Sequence, residues 1–98
     1  MADLMSDGDV EKSLKGLDGW TYDDVYKQVH KDFVFGNFEA AVTFVQHVAS
    51  IASEMDHHPD ILIHKGGSVR ITATTHDMSG ITEKDIALVE SLEILVNT

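Results

Sequence analysis

The chain has 98 residues, 43% of them hydrophobic, which suits one compact domain with a single core and leaves no room for a second. Seven basic against seventeen acidic residues give a formal net charge of −10, which would repel a phosphate backbone, so direct nucleic-acid binding is not expected. The chain contains no cysteine, which excludes disulfides, thiolate metal ligands and a cysteine nucleophile.

The amino-terminal residues 1–7 are acidic, and we predict a flexible tail there. They are followed by no apolar stretch long enough for a signal peptide or a membrane span, so we expect a cytoplasmic protein without membrane contact. A chain of this length buries only about 60–65% of the surface that its unfolded form exposes, so self-association would add stability.

A short helix and a hairpin are predicted next. The apolar residues Val10, Leu14 and Leu17 recur at helical spacing, which predicts an amphipathic helix from residue 8 to 17. Two strand-like segments follow, Trp20–Tyr22 and Val25–Phe35, separated by a turn. The apolar positions of the second strand are Val25, Val29, Phe33 and Phe35. Two lysines interrupt its alternation, which leaves the register of this strand open.

The clearest element is a helix of nearly five turns that begins after Asn37, a suitable N-cap, and ends near Met55. Its apolar positions are Phe38, Ala41, Val42, Val45, Val48, Ala49 and Ala52. Pro59 disfavours the helical conformation for His58, so the histidine pair before this proline is predicted to lie where the helix ends.

A second hairpin and a final helix complete the predicted elements. A short apolar strand, 60–63, is joined through a glycine-rich turn to an alternating strand over 69–76. Thr82 and Asp85 have the spacing of a capping box, which predicts the start of a helix. The residues that this helix is expected to bury are Ile86, Val89 and Leu92.

The element order α-β-β-α-β-β-α predicts an α+β fold, in which a four-stranded, largely antiparallel sheet carries helices packed on one face. The other face of such a sheet then needs an explanation, either as a partner surface or as the wall of a pocket.

Three of the six histidines, His57, His58 and His76, are predicted to meet at one rim of this fold, with Asp85 just beyond. An unperturbed imidazole titrates near pH ~6.5, so one histidine can donate a proton while another accepts one at neutral pH. Each residue taken singly also has a structural interpretation. His58 can cap a helix end, and Asp85 is accounted for by the capping box.

A zinc site formed by His57, His58, His64 and His76 is the competing interpretation of the cluster. The spacing argues against it, because neighbouring side chains diverge on a helix or a strand and the chain has no His-Glu-x-x-His pattern. We therefore expect no metal.

The chain resembles the pterin-4a-carbinolamine dehydratase family over about residues 14–92. The matching segments are Leu17-x-x-Trp20, Phe33-x-Phe35-x-x-Phe38-x-x-Ala41, Glu54-x-x-His57-His58-Pro59-Asp60, Val69-x-Ile71, Thr75-His76 and Gly80-Ile81-Thr82-x-x-Asp85. This set is far more specific than a histidine pair followed by proline, and its spacing from Glu54 onwards is intact.

The resemblance implies an α+β subunit that assembles as a homodimer or homotetramer. The implied activity removes water from 4a-hydroxytetrahydropterin to give the quinonoid dihydropterin, which supports tetrahydrobiopterin recycling and needs no metal or organic cofactor. The implied catalytic residues are His57, His58 and His76. The residues implied to support the site or bind substrate are Glu54, Pro59, Asp60, Thr75 and Asp85.

The second hairpin departs from the pattern of this family. Many relatives carry an aromatic residue and asparagine near the turn, whereas this chain has Lys65-Gly66-Gly67-Ser68, so a pterin contact from the turn is not implied. Two alternatives therefore stay open: a dehydratase fold acting on another reduced pterin, and a non-catalytic module of the kind in which some relatives serve as dimerization cofactors of a homeodomain transcription factor.

Overall fold

The computed structural model describes residues 3–97 as one antiparallel sheet with three helices. The elements are α1 (Asp7–Leu14), β1 (Thr21–Asp23), β2 (Gln28–Val34), α2 (Phe38–Met55), β3 (Asp60–His64), β4 (Ser68–Ala73), a 3-10 turn (His76–Met78) and α3 (Glu83–Val96). The strand order is β1-β2-β4-β3, and every pairing is antiparallel. The predicted fold class and element order are confirmed.

The sheet has one buried and one open face. Along β4, Val69 and Ile71 are buried, whereas Arg70 between them is exposed. On the neighbouring strand, Phe33 lies opposite Val69 and is buried, and Asp32 lies opposite Arg70 and is exposed. The helices therefore pack on the face of Val69, and the pairing fixes the register that the sequence left open.

The long helix α2 supplies much of the core. Its Asn37 cap accepts a hydrogen bond from the Ala40 N–H at 2.8 Å, as the sequence predicts. The buried positions of α2 are Ala41, Phe44, Val48 and Ala52. The ring of Phe44 lies 4.8 Å from that of Phe33, so the helix packs directly onto β2. Within residues 3–97, no helix is both long enough and apolar enough to cross a bilayer.

Two residues, the aliphatic Val25 and the aromatic Phe38, differ from their predicted positions. Val25 does not lie in a strand. It sits in the β1–β2 turn with 78% of its surface exposed, because the Asp23 carboxylate accepts the N–H groups of Val25 and Tyr26 and holds the turn. Phe38 is 54% exposed, because it lies in the first turn of α2, and Phe44 takes the buried position instead.

The outer helices also differ in detail. α1 ends at Leu14, and Leu17 packs against the core from beyond the helix. In α3, Leu88 is fully buried while Ile86 is only partly so. A helix presents a stripe rather than single rows to the core, so which of two neighbouring positions is buried depends on the crossing of the helices.

A flexible tail was expected over residues 1–7. Residues 1 and 2 lie outside the described part of the chain, whereas Met5 and Asp7 contact the domain. The Met5 N–H donates to the Ile81 carbonyl at 2.8 Å, and the Met5 side chain packs against the core. Asp7 begins α1.

Asp7 also joins α1 to the first hairpin. Its carboxylate accepts a hydrogen bond from the Tyr22 hydroxyl at 2.6 Å and from the Lys27 ammonium at 3.0 Å. Partial burial, reinforced by the Asp7 carboxylate, raises the pKa of Tyr22 above its ordinary value, and the Tyr22 hydrogen bond, followed by Lys27, lowers the pKa of Asp7.

We expect Gly67→Ala to destabilise the protein by roughly 1–3 kcal/mol, because a Cβ at position 67 would lie 2.6 Å from the Phe35 carbonyl oxygen. Chemical denaturation measures the effect. Gly36→Ala is the matched control, since a Cβ there meets no atom within 4 Å. Equal stability of the two variants would contradict the close packing of this turn.

We expect stability to fall as the pH rises above ~10. A tyrosine whose folded pKa is raised contributes stability that is present below its unfolded pKa of about 10 and lost as the pH climbs towards the folded value. Tyr22→Phe should remove this part of the alkaline loss, and urea midpoints between pH 8 and 11 measure it. Tyr26→Phe, at an exposed position, should leave the loss unchanged.

Candidate active site

The end of α2 directs the histidine pair. Asp56 adopts the left-handed conformation with φ 50°, which terminates the helix and reverses the chain. The His57 N–H then donates to the Ala52 carbonyl at 3.1 Å, which satisfies a carbonyl of the last helical turn. His57 is thereby turned towards the start of α3.

The second approach to the site comes from the end of β4. Thr75 and Gly80 form an isolated antiparallel bridge, in which the Thr75 N–H donates to the Gly80 carbonyl at 2.9 Å. This bridge closes the loop that contains the 3-10 turn, and His76 is the first residue of that turn. The loop therefore presents His76 beside the end of α2.

A polar pocket of about 330 Å³ lies where these segments meet. Its lining residues are Asp56, His57, His58, Thr74, Thr75, His76, Asp77 and Lys84. The volume is at the lower end of the range of small-molecule sites. All three histidines singled out in the sequence line this one pocket.

Asp85 lies behind the pocket and is fully buried. Its Oδ1 is 2.6 Å from His57 Nε2, and its Oδ2 accepts hydrogen bonds from the Thr75 hydroxyl at 2.7 Å and the Thr82 N–H at 3.0 Å. The predicted capping box is present, and the same carboxylate anchors His57. The structure confirms the capping role of Asp85, and its role in a reaction stays a prediction.

The three histidine side chains differ in their exposure to solvent and in how they are held. The side chain of His57 is 11% exposed and fixed by Asp85, whereas His58 and His76 are exposed on the rim. An anchored imidazole beside two exposed ones can hold and exchange protons with a small ligand.

Three other predicted site residues do not line the pocket. Glu54 is exposed on the last turn of α2, Pro59 lies in the connection to β3, and Asp60 is exposed in β3 opposite Thr72. Their expected roles remain predictions.

Several residues of the pocket were not predicted from the sequence. Thr74, Asp77 and Lys84 line the pocket, yet nothing in their spacing sets them apart. Thr82 was identified only as a helix cap, and its hydroxyl also lies 2.8 Å from that of Thr75. The signal available for Thr82 was its position three residues before Asp85, a predicted functional residue.

The alternative zinc interpretation finds no geometry in its favour. Across residues 3–97, no three histidine or acidic side chains converge as ligands of one metal ion. His64 lies instead on the open sheet face, with its Nε2 3.8 Å from Asp32 Oδ1. The Asp32 carboxylate is held mainly by the hydrogen bonds of Arg70, which lower the pKa of Asp32.

A second cavity lies away from the histidine pocket, between α2 and the end of α3. It has a volume of about 580 Å³ and a mainly apolar lining: Phe35, Ala40, Thr43, Phe44, His47, Leu95 and Val96. Phe35 and Phe44 form its floor with their rings 4.9 Å apart. We refer to it as the apolar groove.

The fold and the pocket define a small α+β protein with an open antiparallel sheet and a histidine-lined site at the end of its central helix. The profile of the family described as pterin 4 alpha carbinolamine dehydratase matches residues 3–95. The chain belongs to this family, which confirms the resemblance found in the sequence.

Individual relatives agree with this assignment. A protein of Roseiflexus sp. (strain RS-1) is 38% identical over 95% of this chain and 97% of its own length. A protein of Christiangramia forsetii is 35% identical over 100% of this chain and 98% of its own length. Both are provisionally named pterin-4-alpha-carbinolamine dehydratases.

Solved structures share the fold. A transcriptional coactivator/pterin dehydratase from Brucella melitensis is 28% identical, covers 94% of this chain with 97% of its own, and has a TM-score of 0.87. A pterin dehydratase-like protein identified as a RuBisCO assembly factor in the alpha-carboxysome is 22% identical and covers 79% of this chain with 88% of its own. Its TM-score of 0.65 shows a shared fold alone.

We expect Asp85→Ala to lower the free energy of unfolding by roughly 2–4 kcal/mol, because it leaves two buried donors, the Thr75 hydroxyl and the Thr82 N–H, without their acceptor. Urea denaturation measures the loss. Glu83→Ala, in the same turn but exposed, is the control, and an equal effect of both changes would contradict the role of the buried carboxylate.

Proposed function

We propose that this protein is a hydro-lyase that dehydrates 4a-hydroxytetrahydropterin to the quinonoid dihydropterin. The observation that carries the proposal is that His57, His58 and His76 line one polar pocket, in a chain that belongs to the dehydratase family. The reaction would support tetrahydrobiopterin recycling in the cytoplasm, with the protein acting as a homodimer or homotetramer and without a cofactor.

The reaction requires two proton transfers. The C4a–O bond breaks and the hydroxyl leaves with an added proton as water, while a ring nitrogen gives up a proton as the new double bond forms. The site must therefore hold an acid near the leaving oxygen and a base near the nitrogen. Imidazole side chains supply both at neutral pH.

The geometry favours separate tasks for the three histidines. His57 is anchored through Nε2 to Asp85, so it holds a fixed orientation towards the ligand. His58 and His76 are exposed on the rim, where they can reach the leaving hydroxyl from either side. Thr75 and Asp85 support His57 from behind, and Pro59 shapes the turn after the pair.

Glu54 and Asp60 would support the reaction from outside the pocket. Both are exposed and lie outside the lining of the pocket, so a contact with substrate would require a larger ligand or a partner subunit that extends the site. Their support for the reaction rests on the family pattern alone.

We expect the purified protein to accelerate dehydration of 4a-hydroxytetrahydropterin above the spontaneous rate. His57→Ala, His58→Ala and His76→Ala should each lower that acceleration, by up to ~10²–10⁴-fold, because each removes one general acid or base. The disappearance of the carbinolamine, followed by absorbance, measures the rate.

His47→Ala is the matched control, because His47 lines the apolar groove and not the histidine pocket, and it should keep the wild-type rate. A folded wild-type protein that does not exceed the spontaneous rate would refute the proposed activity. Turnover of a different reduced pterin in the same assay would keep the reaction class and change the substrate.

A non-catalytic binding function is the second candidate, and the apolar groove is the observation that favours it. A binding role through this surface would not need the three histidines. The relative from Brucella melitensis is named both as a coactivator and as a dehydratase, which supports weighing the two roles together.

A further inference from the structure

Two buried hydroxyl groups lie at the histidine pocket, that of Thr75 in its lining and that of Thr82 next to it. Thr82 is fully buried and Thr75 is 5% exposed, and their Oγ1 atoms are 2.8 Å apart. A buried hydroxyl has one proton to donate and must place it on a nearby acceptor. The protons of these two groups are therefore committed within the site.

The acceptors fix the direction of both hydrogen bonds. Asp85 Oδ2 lies 2.7 Å from Thr75 Oγ1 and can only accept when the carboxylate is ionised, so Thr75 donates to Asp85. Thr75 has then used its only proton, so Thr82 is the donor to Thr75. Thr82 in turn accepts the backbone N–H of Lys84 at 3.3 Å.

The hydrogen bonds of the two hydroxyls affect His57 through the Asp85 carboxylate. Oδ2 of Asp85 already accepts two donors, the Thr75 hydroxyl and the Thr82 N–H, which hold the carboxylate plane in place. Oδ1 faces His57 Nε2 at 2.6 Å and has no proton to give. A short contact of this kind requires the proton on Nε2.

We propose that Thr82 and Thr75 are positioning residues, whose ordered hydroxyl pair holds the Asp85 carboxylate so that neutral His57 carries its proton on Nε2 and leaves Nδ1 as the free acceptor. The use of Nδ1 as a base towards the pterin rests on the proposed dehydratase function. The tautomer itself does not.

The hydrogen bond between the Thr75 and Thr82 hydroxyls is distinct from the capping box. The Asp85 side of the capping box uses the backbone N–H of Thr82, which any residue at position 82 except proline supplies. The hydroxyl bond to Thr75 is additional to that contact, and it joins the end of β4 to the start of α3. Loss of the hydroxyl at 82 is therefore expected to change the histidine and not only the helix.

The test is ¹⁵N NMR of the histidine side chains at a pH where His57 is neutral, with His57 assigned by comparison with His57→Gln. The wild-type protein should show a protonated Nε2 and an unprotonated Nδ1. A wild-type spectrum with the proton on Nδ1 would overturn the proposal outright, whatever the variants do.

The variants measure the role of each hydroxyl. Thr75→Val should give the largest loss of the Nε2–H tautomer, since it removes a donor to Asp85 directly, and Thr82→Val a smaller loss. Thr82→Ser keeps the hydroxyl and should restore the wild-type spectrum. Thr21→Val, at an exposed position in β1, is the matched control and should change nothing.

Folded Thr75→Val and Thr82→Val proteins with an unchanged His57 spectrum would overturn the proposal. If Thr75→Val does not fold, Thr75→Ser replaces it, and the wild-type tautomer is expected. If Thr82→Val does not fold, Thr82→Ala replaces it, and a partial loss of the Nε2–H tautomer is expected. The rate of dehydration, recorded in parallel, distinguishes the two hypotheses. An inactive wild-type protein with the expected tautomers would refute the dehydratase function and leave the positioning role standing.

Discussion

The buried carboxylate of Asp85 is the interaction on which the site depends. A charge removed from water is tolerated only when its hydrogen-bonding capacity is met, and here three donors from three parts of the chain meet it. His57 follows the end of α2, Thr75 follows the end of β4, and Thr82 precedes the start of α3. Removing any one of them leaves the carboxylate under-satisfied, so the same contacts that stabilise the fold also orient the imidazole.

The sheet makes this convergence possible. The antiparallel pairing brings the end of β4 back beside the helices, and the bridge from Thr75 to Gly80 then holds the loop of His76 against the end of α2. The left-handed residue Asp56 reverses the chain at the same end of the molecule. The pocket is therefore formed where a helix and a strand end, and side chains there are less constrained than in the middle of an element.

The two cavities have different chemistry and different positions. The histidine pocket is polar and lies at the end of α2, whereas the apolar groove runs between α2 and the end of α3 with Phe35 and Phe44 at its floor. The proposed proton transfer and the alternative binding role would therefore use separate surfaces of one domain. Family membership supports the first as the principal function, and the groove keeps a binding role compatible with it.

The sequence by itself determined the element order and the caps at Asn37 and Thr82, because these follow from local spacing and from short-range backbone chemistry. It did not determine that Val25 would lie in a turn or that Phe38 would be exposed, because the hydrogen bonds of the turn and the crossing of the helices decide such positions. The contact of His57 with Asp85 joins residues 28 positions apart, and that of Thr75 with Thr82 joins a strand end to a helix start. Only the tertiary structure decides which polar groups share a buried space, and hence which proton each of them must donate.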